Sequence, residues 1–209
     1  MRKITKGQEP LELSAWKRNN RKKVHYADLS HIERLAIKQS AIQEQYALCA
    51  YCCKLINLEN SVNEHLDARH HAHSRELDFA NIVASCNTRD QCDDKHGSQH
   101  LPLTPLMDEC ETELSFALTG KVIGQSERAT ESIRVLGLDR RILIETRKQM
   151  MDTLLYQMGT QSDDLQLLED EFLLDILSDL KQPQDNKLLP YSPVLVNILH
   201  KMLTSRVTN

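Results

Sequence analysis

The chain has 209 residues, 26 Lys and Arg against 30 Asp and Glu, 40% hydrophobic residues, 4% aromatics, and six each of Gly, Pro, Cys and Met. That length suits one or two modest domains, and the balance of charged and apolar residues excludes a wholly disordered, collagen-like or fibrous chain. A formal net charge of −4 argues against a protein that coats nucleic acid by charge alone.

No run of about 18 apolar residues is present to span a bilayer, and the opening Met1-Arg-Lys-Ile-Thr-Lys6 is too polar for a secretory leader, so a cytoplasmic protein with no membrane partner is expected. In that compartment thiols stay reduced, and six cysteines point to a metal rather than to a disulfide framework. Charge is unevenly placed. Met1 to Lys38 carries ten Lys and Arg against four acids, whereas Met151 to Leu180 carries eight acids and neither Lys nor Arg. Ends of such opposite character suit different partners, one facing phosphate and the other facing protein.

Residues 1–24 are basic, with Leu11, Leu13 and Trp16 as their few apolar anchors, and read as an arm that orders on contact or as a solvated tail. Residues 28–47 read as a helix: Ser30 is placed to cap, Glu33 follows three residues later as its capping-box partner, and Leu35, Ile42 and Tyr46 keep helical spacing. Beyond Leu101, Pro102 and Pro105 interrupt the chain, and Leu106–Leu118 and Ser126–Tyr156 carry apolar residues at helical spacing. Ser162–Leu180 repeats the pattern with an acidic outer face over a stripe of Leu165, Leu168, Phe172, Leu173, Ile176 and Leu180, and a short helix over Val194–Leu203 ends the chain. The acidic helix is either packed on the lobe with a wet outer face or a docking surface for a partner. The expected fold is α+β and mostly helical, with residues 25–115 as a zinc-stapled central core and 116–209 as a helical lobe.

Residues 49–97 hold five of the six Cys and five of the nine His. Cys49-Ala-Tyr-Cys52 is spaced as a knuckle that aims two thiolates at one ion, and Cys86 and Cys92 complete a four-sulfur shell of the closed, structural zinc type. Cys53 competes as a ligand, and Cys110 reads as a small buried residue. Between the cysteine pairs, Val62 and Leu66 flank Glu64 and His65 on a short expected strand. An imidazole beside a carboxylate suits phosphodiester hydrolysis, the neutral ring taking a proton from water and an oxygen ligand helping to hold Mg²⁺ or a similar divalent cation. A paired surface histidine is the alternative. Arg69-His-His-Ala-His-Ser-Arg75 reads as phosphate-positioning or as a solvated loop.

A cysteine pair, Glu64-His65, Asn81 five residues before Cys86, and then Cys92 resemble the zinc-bearing branch of the HNH endonucleases. The resemblance implies a ββα core around one divalent ion, with His65 as general base, Glu64 as a metal ligand and Asn81 tying the loop that orients His65. The third signature residue falls on Asp93 or His96, with Asp94 within the same turn. Glu stands at 64 where the commonest pattern has Asp, and the Cys86–Cys92 spacing is wide. The elements Ile4-x-Lys6-Gly-x-Glu9-Pro10, Cys49-x-Tyr51-Cys52, Phe79-Ala-Asn81-Ile-Val-Ala-Ser85-Cys86 and Leu101-Pro-Leu-x-Pro105 resemble the PtuB family, the HNH subunits of Septu-type anti-phage systems, over about residues 1–150. That likeness implies a PtuA-like ATPase of the SMC/ABC type as partner. In retron-associated systems it adds a reverse transcriptase with its DNA-linked RNA, and the substrate is DNA or an RNA such as tRNA. The competing expectation is a zinc-stapled adaptor that bridges partners without catalysis.

Overall fold

A computed structural model describes residues 1–21, 25–162 and 164–207. Lys22, Lys23 and Val24 of the basic stretch and Asp163 of the acidic one lie outside the described residues. The fold is α+β and mostly helical, with two small antiparallel sheets. Among the described residues no helix is long and apolar enough to cross a membrane.

The basic N-terminal stretch is packed rather than free as far as residue 21. Met1 and Ile4 are buried, and the Ile4 N–H donates to the Pro105 carbonyl at 2.8 Å. Helix α1 (Leu11–Asn19) buries Leu13 against α2 (His31–Glu44). Lys6 carries the join: its ammonium lies 2.6 Å from Glu44 and 2.8 Å from the Ile82 carbonyl, 3.6 Å above the Phe79 ring. The apolar pattern here is too sparse to announce docking, because much of the attachment is polar. Helix α2 has the anticipated capping box, with Ser30 and Glu33 each bonded to the other's backbone.

The central hairpin pairs β1 (Ser61–His65) with β2 (Ile82–Cys86) in antiparallel register, Glu64 opposite Val83 and His65 opposite Ile82. α2 packs on both strands. All five residues of β2 are buried, and the outward-facing peptide groups of Ala84 need partners. Gln45, just beyond α2, supplies them: its amide donates to the Ala84 carbonyl at 2.8 Å and accepts from the Ala84 N–H at 2.7 Å. The Ala50 N–H adds a second donor to the same carbonyl. The single helical turn α3 (Asp93–His96) follows.

Residues Leu106–Leu118 do not form the expected helix. They make a 3₁₀ turn at Asp108–Glu111, which buries Cys110, and then strand β3 (Leu114–Phe116), paired with β4 (Val122–Gly124). Gly120 turns this second hairpin at φ 80°, and a Cβ there would meet the Ile144 carbonyl at 2.1 Å. α4 (Glu127–Leu136) and α5 (Arg141–Gln157) divide the next periodic stretch at Gly137, where φ is 60°. The acidic segment begins as a 3₁₀ turn at Leu165–Leu167, and its helix is α6 (Asp170–Lys181). Leu173, Leu177 and Leu180 form its buried side, while Phe172, assigned to the inner stripe from the sequence, is 40% exposed. α7 (Ser192–Val207) is longer than anticipated and packs on α6, α5 and β3.

Candidate metal centre and adjoining cleft

Two left-handed residues, Tyr46 and Ala47, turn the chain out of α2 into the knuckle. There the Cys53 N–H donates to the Cys49 carbonyl at 3.1 Å, and the Cys49 N–H donates to the Lys54 carbonyl at 2.8 Å. The end of β2 brings Cys86. Cys92, itself at φ 54°, is delivered by a loop whose N–H donates to the Leu136 carbonyl of α4 at 2.8 Å. The sulfurs of Cys49, Cys52, Cys86 and Cys92 all lie within 4.8 Å of one another, and all four residues are buried. Cys52 and Cys86 are 3.9 Å apart, close to the edge of about 3.8 Å that tetrahedral Zn–S bonds of 2.3 Å require.

Outer groups address the sulfurs. The Cys86 N–H donates to Cys49 Sγ at 3.3 Å, and the Gln91 amide donates to Cys86 Sγ at 3.6 Å. Bonds from Cys49, Cys52 and Cys92 hold the Cys86 thiol far below its ordinary range, and the same contacts drive Cys52 and Cys92 well above theirs. Four thiols crowded this way cannot all ionise without a cation. The cluster could hold a zinc ion, as its spacing implies. Cys53 takes no part; it is buried beside Leu48 and Leu188.

Of the other expected site residues, His65 and Asn81 lie at the far end of the hairpin, whereas Asp93 follows Cys92 directly and its N–H donates to Ser85 Oγ at 3.2 Å. His65 closes β1, and its Nε2 is 2.9 Å from the Glu76 carbonyl. A carbonyl only accepts, so Nε2 carries the proton and a neutral ring keeps its lone pair on Nδ1. Burial lowers the pKa of His65, against a smaller opposing effect of the Glu76 carbonyl. Asn81 clamps the intervening loop: its side chain donates to the Asp67 carbonyl at 3.0 Å and the Arg75 carbonyl at 3.3 Å, and accepts from the Asp67 N–H at 2.8 Å. Arg75 is engaged by Asp67 and Asp78, so this arginine of the basic loop is committed to the protein.

Glu64 accepts from Tyr51 Oη at 3.1 Å and pairs with His96 Nδ1 at 2.5 Å. His96 is fully buried, and its Nε2 has no hydrogen-bond partner among the described residues. Asp93 is pushed up to about 8, first by burial and then by a bond and like charge from Glu64. Glu64, Asp93 and His96 are thus neighbours. Among the described residues, however, the groups whose ligand atoms all converge within 4.8 Å are the four cysteines and a second set, His25, His73 and Glu76. Glu64, His65, Arg69, Asp93 and Asp94 line an open cleft of about 450 Å³.

Sequence reasoning missed Tyr26, which stands edge-on to His65 at 4.9 Å between ring centroids and accepts from Asn63 at 2.7 Å. It also missed Tyr51 as a Glu64 partner, Gln45, and the cluster at Glu76. Apart from the i,i+3 pair of His73 and Glu76, each rests on contacts between residues well separated in sequence, with no local pattern to reveal them. Compared with known protein families and with curated proteins, the sequence gives no match.

Proposed function

We propose that this chain is an HNH-type, metal-dependent endonuclease, the effector subunit of an anti-phage defence complex that hydrolyses phosphodiester bonds in DNA, or in an RNA such as tRNA. The observation that carries the reading is the state of His65: its Nε2–H is committed to the Glu76 carbonyl, its Nδ1 retains the lone pair, and the ring lines a cleft with Glu64 and Asp93. Nδ1 takes a proton from water as the water oxygen bonds to phosphorus and the P–O ester bond breaks, the leaving oxygen being protonated from solvent. Asn81 acts as a positioning residue, because it fixes the loop that presents the Glu76 carbonyl.

On this reading Glu64, Asp93 and His96 would hold the divalent cation: Glu64 and Asp93 are neighbouring carboxyl groups that repel, and the buried His96 Nε2 has no partner among the described residues, although the three ligand atoms do not all lie within 4.8 Å of one another. When bound, Mg²⁺ or a similar ion would stabilise negative charge on the phosphate. The acidic balance of the chain leaves target choice to partners, a PtuA-like ATPase and, in a retron setting, a reverse transcriptase with its DNA-linked RNA.

A non-catalytic, zinc-stapled adaptor is the second reading, favoured by the buried Glu64–His96 pair, which is closed on itself. Cleavage of supercoiled DNA and of tRNA by the purified chain with its ATPase separates the two. On the nuclease reading His65→Ala lowers cleavage at least about a hundredfold at a temperature where the variant, though less stable, is still folded. Unchanged cleavage or cell killing in that variant sinks the nuclease.

A further inference from the structure

His25, from a distant segment, and His73, three residues before Glu76 on the same loop, each set Nδ1 3.1 Å from the same oxygen, Glu76 Oε1. The three ligand atoms all lie within 4.8 Å of one another. The N···O separations match the edge of about 3.3 Å expected when imidazole nitrogen and carboxylate oxygen bind one tetrahedral Zn²⁺ at 2.0–2.1 Å. The second carboxylate oxygen, Oε2, is fixed by the Tyr26 N–H at 2.9 Å, the kind of outer bond that orients a ligating carboxylate. The Glu76 side chain is only 7% exposed, whereas the two imidazoles are 56% and 70% exposed. An ion therefore has a buried anionic ligand on one side and two accessible rings on the other.

We propose that His25, His73 and Glu76 form a second zinc site, with two imidazoles, one carboxylate and a fourth position open to water, distinct from the four-cysteine cage. Two histidines and a glutamate with an open position are a donor set that suits Zn²⁺. The site joins residue 25, at the entry to α2, to the loop that follows β1. Its carboxylate belongs to the residue whose backbone carbonyl receives His65 Nε2–H. Filling it pins that loop, and with it the tautomer and orientation of His65. The metal site stands independently of the nuclease reading; its consequence for His65 rests on that reading.

The test uses the full-length chain and Zn²⁺ or Co²⁺ alone. Metal content after dialysis against limiting chelator, read by elemental analysis, is expected to be one equivalent higher in the wild type than in His25→Ala or His73→Ala. Either variant binds that equivalent about a hundredfold more weakly or loses it. Both substitutions fall on exposed rings, so the fold survives them. With Co²⁺, the strong thiolate charge-transfer band of the cysteine cage remains in both variants, and only the weaker bands of a nitrogen- and oxygen-ligated ion disappear. Added Zn²⁺ raises the melting temperature of the wild type above that of the variants, as binding to the folded state requires. Equal metal uptake and equal zinc-dependent melting in wild type and both variants overturn the proposal and leave a hydrogen-bonded His–Glu cluster. Cleavage is not among the readouts, so a failed nuclease reading and a failed zinc site give separate signatures.

Discussion

The central hairpin region and the C-terminal helical lobe hold themselves together by different physics. In the first, strands of five residues and a single turn of helix are organised by side chains that replace backbone partners: Gln45 on Ala84, Asn81 on the 66–76 loop, and four thiols around one point. In the second, α4 to α7 bury Ile133, Leu143, Met151, Leu154, Leu173, Leu195 and Ile198 by long apolar helix faces, in an interior that continues into Ile37, Ile82 and Val83 of the first. Arg147 is the large charged side chain inside the lobe among the described residues; it is 1% exposed and donates to the Leu138 carbonyl at 2.8 Å. Short elements cannot bury enough apolar surface to offset chain entropy, so they need a staple, whereas long helices can do without one.

The contrast can be broken from its most sensitive point outward. Zinc removal, or Cys86→Ser, is expected to have the largest effect: coupled metal binding is worth about 10–16 kcal/mol in small zinc modules. Hydrogen exchange is then expected to collapse over residues 45–97, with α5 and α7 still protected. Melting that is indifferent to chelation defeats the staple. In the lobe, Arg147→Ala strands the Leu138 carbonyl and opens a cavity, and a loss of about 3–4 kcal/mol is expected by chemical denaturation. Gln45→Leu exposes the opposite dependence, on polar pairing: it leaves the Ala84 N–H without a buried acceptor, at about 2–3 kcal/mol, with faster exchange localised at that amide. At the seam between the regions, Gly137→Ala forces a Cβ to 3.0 Å from the Asp90 carbonyl at φ 60°. About 1–2 kcal/mol is expected there, read as a lower denaturation midpoint. Ser30→Ala is the mildest, about 1 kcal/mol for a lost cap, and it sharpens the comparison because α2 belongs to the hairpin region yet begins by an ordinary local rule.

What the sequence disclosed follows the same division. Local chemistry was legible: the Ser30–Glu33 box, the strand carrying Glu64 and His65, and the cysteine spacing that converges into one cage. Asn81 was singled out only through the family resemblance; its side chain bonds Asp67 and Arg75 across the loop. Where periodicity had to choose between structures it failed, because Leu106, Cys110, Leu114 and Leu118 have spacing that also fits a 3₁₀ turn leading into a strand. The β3–β4 hairpin turns on Gly120 against α5, a tertiary fit invisible one residue at a time. The docked N-terminus and the approach of His25 to Glu76 share that cause, since the partners are distant in sequence and polar in character.

The bidentate clasp of Gln45 on Ala84 has a further effect on assembly. A lone ribbon of two strands ordinarily offers unpaired peptide groups along its flank, a template on which another chain can grow. On the β2 flank the amide of Gln45 and the Ala50 N–H occupy that template from within the same molecule. Oligomerisation by edge pairing is thereby blocked on that side, and any companion that engages this hairpin there must recognise side chains instead of extending the sheet.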